Sequence, residues 1–359
     1  MIMFKYLGTG VCLVSLLFAC TGSVDQRKNA IKINLDDSRH SMSLSAIASG
    51  VSYLPLEFND SCVIGNIGDL KYVNDHYFVL DKQTKSVYIF NEKGKYISRL
   101  CHTGKGPGEY INPATIAVNR KDTSIDILDP LQRKIITYAF NGKFLRETFV
   151  GNTIIRDFIR TADNKLVCYT PDFNIGSKRG LWLNDEQGRF SKDLVNLKDA
   201  HKFSVMQTWY FCNTDKDTTA VYIDDRDDIY HVCGDTARLA YSLEFNRKTP
   251  AYLLNQSNIN VAKHLKEVVL KVSYLETPKW FFLVVVADGG NNLLCYSKTG
   301  QSVLLTKEIV NDIDKYPLGN LTRCINNNSL TGIVSPDDFY AGETDINRKN
   351  PVLQIISLK

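Results

Sequence analysis

From Leu70 to Leu100 the chain alternates short apolar runs (LKYV, YFVLD, SVYIF, KYISRL) with short polar ones (NDH, KQTK, NEKG). Runs of this length, rich in Val, Ile, Tyr and Phe and bounded by Asn, Asp, Gly or Lys, predict strands joined by tight turns. Four such strands make one antiparallel unit. The unit recurs: "DKQTKSVYIFNEKGKYISRL" from Asp81 lines up with "DPLQRKIITYAFNGKFLRETF" from Asp129, pairing Phe90 with Tyr138 and Gly94 with Gly142. The glycine returns at Gly188, Gly234 and Gly300, where a hairpin between the last two strands needs a positive φ that glycine adopts at no steric cost.

A period in the forties built of short strands is the pattern of a propeller blade. Six periods fit, at 67–100, 114–150, 155–197, 203–245, 264–309 and 322–359. The sixth runs short of chain for a fourth strand, whereas "VSYLPLEF" (51–58) is a strand with no blade of its own. Placing it as the outer strand of the last blade closes the ring and hides two sheet edges. The expected fold is therefore all-β: a six-bladed β-propeller of four-stranded antiparallel blades, closed by an N-terminal strand. Two segments break the rhythm. "TPAYLLNQSNINVAKHLKEVVLK" (249–271) lengthens the fifth period, and Val261 to Leu270 has helical spacing, predicting a short helix. "WFFLVVVA" (280–287) is too short to span a membrane and reads as a buried strand.

The ends add an address. "MIMFKYLGTGVCLVSLLFAC" places one Lys ahead of an apolar stretch that stops at Cys20, which reads as a secretory signal over residues 1–19. Leu17-Phe18-Ala19-Cys20 resembles the bacterial lipoprotein box, which implies lipid attachment at Cys20. Residues 20–43 are polar without periodicity and are expected to form a flexible tether, with the propeller occupying 44–359. The net charge is +4 with both signs dispersed, so the basic stripe required by nucleic acid is missing. Seven cysteines remain after Cys12 and Cys20. They are scattered singly, mostly within apolar runs, which fits small buried side chains better than a zinc or redox motif.

"CHTGKGPGEYINPA" (101–114) is the densest cluster of glycines. No Lys-Ser or Lys-Thr closes it as a Walker A loop, and Pro113 with β-branched residues follows where a dinucleotide site needs a helix. It reads as the turn between the first two blades, with Pro107-Gly108 at the centres of a type II turn. Gly104, Gly106, Pro107, Gly108, Glu109 and Tyr110, with "YVNDHYFVLD" and "VYIFNEKGKYISRL" before them and "IDILD" after them, resemble the six-bladed β-propeller lipoproteins abundant in Bacteroidetes, relatives of NHL-type propellers. That resemblance implies a lipid-anchored envelope protein.

Loops between blades and between second and third strands share one face of a propeller. That face would carry an acid at the end of each of four second strands (Asp81, Asp129, Asp224 and Asp288), together with His102 and Arg133. An acid ring could hold a cation; alternatively, each Asp caps its own turn. Basic residues recurring before the third strands could bind an anionic sugar or a peptide carboxylate. Asn213-x-Asp215-x-Asp217 has the spacing of a calcium loop, but Thr218 stands where the glycine is needed. No linear motif marks a catalytic residue, a metal site or a cofactor. The expected function is a binding or scaffolding module, lipid-anchored at the bacterial outer membrane, for a glycan, a peptide or an envelope protein. The alternative is a metal-assisted lyase or hydrolase at the channel mouth.

Overall fold

The computed structural model describes residues 30–171, 178–197, 202, 207, 209–214, 218–256, 259–326, 328–342 and 349–359. Three strands precede the first complete blade: β1 (Ile31–Ile33), β2 (Met42–Ser43) and β3 (Ala48–Pro55). Blade 1 is β4 (Ile67–Val73), β5 (His76–Asp81), β6 (Ser86–Asn91) and β7 (Tyr96–Leu100). Blade 2 is β8 (Thr115–Asn119), β9 (Ser124–Asp129), β10 (Lys134–Ala139) and β11 (Phe144–Phe149). Blade 3 is β12 (Asp157–Arg160), β13 (Leu166–Thr170), β14 (Gly180–Asn184) and β15 (Phe190–Asn196). Blade 4 is β16 (Phe211–Asn213), β17 (Thr219–Ile223), β18 (Asp228–Cys233) and β19 (Thr236–Phe245). Blade 5 is β20 (Leu270–Glu276), β21 (Trp280–Ala287), β22 (Gly290–Ser297) and β23 (Ser302–Thr306), followed by the two-residue β24 (Ile309–Val310). Blade 6 is β25 (Asn320–Asn326), β26 (Ser329–Val334) and β27 (Val352–Leu358), completed by β3.

The ring is a six-bladed propeller closed as the pattern predicts. β3 pairs antiparallel with β27, Pro55 opposite Val352 and Val51 opposite Ile356. Each pair of neighbouring blades encloses its own apolar core. Phe78, Ile127 and Tyr138 fill the space between blades 1 and 2, and Leu128, Cys168 and Trp182 that between blades 2 and 3. Leu353, Tyr77 and Tyr88 fill the seam where the ring closes. The hairpin glycine adopts a positive φ at Gly94, Gly142, Gly188 and Gly234; in blade 5 the left-handed position falls to Gln301, one residue after Gly300.

Two expectations need correction. The expected tether enters the fold well before residue 44: β1 adds to blade 4 as a fifth strand, parallel to β19, and β2 pairs parallel with β24. Between them Arg39 bridges Thr306 of blade 5. Residues 30–55 thus form a strap across the outer rims of blades 4, 5 and 6. The physical reason is burial: Ile33 and Leu35 sink into the core between blades 4 and 5, at 1% and 3% exposure. The predicted helix over Val261–Leu270 is also absent. A 3-10 turn at Val261–Lys263 is followed by a turn in which Glu267 and Val268 N–H both donate to the His264 carbonyl, and Leu270 already begins β20. Among the described residues of this insert, an α-helical turn lies earlier, at α1 (Ala251–Leu254).

Candidate functional site

The glycine-rich stretch is a structural joint. Glu109 N–H donates to the Gly106 carbonyl at 3.1 Å across Pro107 and Gly108, whose φ is +73°, as a type II turn requires. The three glycine amides that would cradle a phosphate are engaged. Gly104 N–H donates to the Tyr110 carbonyl, Gly106 N–H to Glu109 Oε2 at 2.9 Å, and Gly108 N–H to Glu147 Oε1. Two carboxylates therefore occupy the hollow. Tyr110 is fully buried and its hydroxyl donates to the Lys85 carbonyl at 3.0 Å, with burial pushing its pKa up to about 12. His102 stacks on Tyr138, ring centroids 5.0 Å apart.

The four acids do not act alike. Asp81 is buried and accepts from the amides of Gly65, Asn66, Gln83 and Thr84 and from the Thr84 hydroxyl. Asp129, equally buried, accepts from the amides of Ile111, Asn112, Leu131 and Gln132, while Gln132 Nε2 ties it to the Glu109 carbonyl. Each pins a between-blade loop to its own second-to-third-strand turn. Asp224 and Asp288 instead meet cations at the junction of blades 4 and 5: Lys271 lies 3.3 Å from Asp224, and Arg247 bonds Asp288 at 2.8 Å. Arg133 is exposed, at φ +55°, and reaches Asn152 Oδ1 at 3.3 Å. Cys20, Asp215 and Asp217 lie outside the described residues. Among the described residues no three His, Cys, Asp or Glu side chains gather as metal ligands.

The sequence reading missed what fills the axis. The first strand of each blade lines the channel, and Arg323 of β25 crosses it. Its Nε and Nη2 donate to Asp69 of β4 at 3.0 and 2.6 Å, and its Nη1 donates to Asp157 of β12 and to the Phe211 carbonyl of β16. Nη2 also reaches Thr115 of β8, whose hydroxyl donates to Asp69 at 2.8 Å. One guanidinium thereby joins blades 6, 1, 2, 3 and 4. Lys71 donates to Asp69 at 2.9 Å. Burial alone would raise the Asp69 carboxyl, but the charges of Arg323 and Lys71 outweigh it and hold the pKa well below the usual carboxylate range. Toward the loop face, the Trp209 indole N–H, carried from blade 4, donates across the axis to the Gly68 carbonyl of blade 1 at 3.2 Å. Lys82 donates to the carbonyls of Pro113 and Ala114. Charged side chains and an indole thus bridge the axis among the described residues. Asp69 is the third residue of its strand and Asp157 the first, a placement no linear motif flags.

A further buried carboxylate ties the remaining blade. Glu276, at the end of β20, accepts from His231 Nε2 of blade 4 at 2.8 Å, from the Tyr274 hydroxyl and from Lys298. Burial opposes its ionisation, but His231 and Lys298 prevail and lower its pKa.

Residues 29–358 match the family model described as "Domain of unknown function (DUF4934)". The chain belongs to the DUF4934 family. No curated protein matches its sequence. Among solved structures, the DUF4934 chain is similar to a presumed exported protein of Bacteroides fragilis, with 17% identity, a TM-score of 0.74, and coverage of 92% of this chain and 99% of that one. It is also similar to a DUF4221 family member of Bacteroides vulgatus, with 10% identity, a TM-score of 0.51, and coverage of 87% and 97%. At these identities the likeness concerns the fold.

Proposed function

We propose that this DUF4934 protein is an exported binding module of the bacterial cell envelope, anchored by lipid at Cys20, that recognises a glycan, a peptide or an envelope protein on its loop face. The observation that carries this reading is the bridged axis. With Arg323 bonded to Asp69 and Asp157 and Trp209 bridging blades 4 and 1, the polar groups at the axis are spent on holding blades together, which favours the surrounding loops as the binding surface. Asp81 and Asp129, spent on backbone amides, serve those loops as anchors. The likeness to a presumed exported Bacteroides protein supports the location.

The test is a glycan and peptide array probed with the purified protein, with crosslinking in intact cells alongside. Capture of a ligand that is lost when loop residues such as Leu131 and Arg133 are replaced would support the reading. Binding that survives every loop-face replacement would overturn it. Radiolabelled palmitate incorporation, lost in Cys20→Ala, tests the anchor separately.

A further inference from the structure

The longest between-blade connection runs from Asn246 to Val269. Long ordered loops on a rigid scaffold are where binding groups concentrate. This one is cross-linked: Tyr252 donates to Glu267, and His264 Nδ1 lies 2.9 Å from the same carboxylate. Arg247, at its start, is clamped between Asp36 of the strap at 3.3 Å and Asp288 of blade 5 at 2.8 Å. Insert and blade 5 together line a cleft of about 210 Å³, formed by Arg247, Lys248, Lys266, Glu267 and Asp288, with Val268, Val269 and Ala287 beneath.

The donors and acceptors of this cleft do not balance. Both acids are engaged: Asp288 by Arg247, Glu267 by Tyr252 and His264, and those hydrogen bonds lower both carboxyls. The lysines are not. Lys266 has no bonded partner among the described residues. Lys248 has only Asp227, 3.9 Å away, and Asp227 is already held by Lys271 at 2.9 Å and by the Tyr222 hydroxyl at 2.8 Å. The unspent groups are two ammonium ions above a narrow apolar floor, where Val268, Val269 and Ala287 are 1%, 7% and 4% exposed. A matching occupant brings negative charge on a small body with one apolar face. The volume lies below the roughly 300–1,000 Å³ typical of drug-sized sites, so it admits one small ring.

We propose that this cleft binds a single acidic sugar unit, its carboxylate set between Lys248 and Lys266 and its ring lying over Val268, Val269 and Ala287. This deepens the reading above and rests on the loop face being the recognition surface. A sugar suits the floor better than inorganic phosphate, which has no apolar face, and the paired Asp288 and Glu267 at the rim can still accept hydroxyl hydrogen bonds.

The test is isothermal titration of the purified protein at low salt with galacturonic acid, galactose, inorganic phosphate and a short peptide carboxylate. Galacturonic acid is expected to bind at least about tenfold more tightly than galactose, one decade per 1.4 kcal/mol. The affinity should fall about tenfold or more in Lys248→Met/Lys266→Met. Both side chains are exposed, so the fold should survive, and Lys263→Met, outside the cleft on the same insert, should leave binding unchanged. Absence of galacturonate binding would overturn the inference. So would equal binding of phosphate or of the peptide, or a double variant that binds as well as the parent. If galacturonate fails while the array still yields a ligand sensitive to Arg133 or Leu131, the cleft is wrong and the loop-face reading stands; if both fail, the reading itself falls.

Discussion

At the scale of single residues, Arg323 is the side chain on which the centre of the ring depends. It sits 254 residues from Asp69 and 166 from Asp157, so no local pattern could announce the contact. Replacing it with Met leaves two buried acids without their partner, and breaking a buried pair in this way typically costs about 3–5 kcal/mol. Urea denaturation at pH 7 should show that loss. The pH dependence follows from the depressed Asp69 carboxyl. Its contribution is fully present above the unfolded carboxylate value of about 4 and is lost as the pH falls below it. In Arg323→Met the same carboxyl becomes a buried group without its main counter-charge, and its pKa rises. The stability gap between parent and variant should therefore be widest near pH 7 and narrow steadily on acidification; a gap that is constant with pH would contradict the assignment. Tyr110 shows the opposite legibility. Part of its surroundings is local, since its carbonyl and amide bond Gly104 and His102 of the same loop, and the turn before it could be read from Pro107-Gly108 directly.

At the scale of elements, the blades were legible because strand, turn and glycine repeat at fixed offsets, and each repeat is locally consistent. The glycines have a second duty that the repeat does not reveal. An added Cβ at Gly94 would lie 2.3 Å from the Pro55 carbonyl oxygen, and one at Gly188 would lie 2.1 Å from that of Phe149; at Gly234 it would meet nothing. Gly94 and Gly188 therefore let the hairpin of one blade press on the outer strand of the blade before it. Gly234→Ala should cost only the left-handed backbone penalty, about 1–2 kcal/mol. Gly94→Ala and Gly188→Ala should cost clearly more, because backbone must move, and denaturant midpoints measured in parallel will rank them. The strap escaped sequence reading because β1 has three residues and β2 two, too few to establish a period of two. The helix expected at Val261–Leu270 erred for a related reason: successive single turns at 261–268 space their apolar residues as a helix would, but only to set Val268 and Val269 into the core.

At the scale of the whole molecule, the ring is held by two different uses of its N-terminal region. Residues 30–43 lie on the outside of a ring that is complete without them, whereas β3 belongs to it. Deleting 30–43 should keep the six blades, with unchanged β-type circular dichroism, but lower stability by several kcal/mol, since burying Ile33 and Leu35 contributes about 1.5–3 kcal/mol each. Extending the deletion through Pro55 should abolish cooperative unfolding and promote self-association, because β27 then presents a bare edge. Size-exclusion chromatography and thermal unfolding of the two truncations distinguish these outcomes. The same pairing sets an order of events during synthesis. β3 is made before every other strand of the six blades, and its partner β27 after all of them. However early the middle blades form, the ring stays open until residues 352–358 have been made, so closure waits on the sixth blade whatever the order in which the other five form.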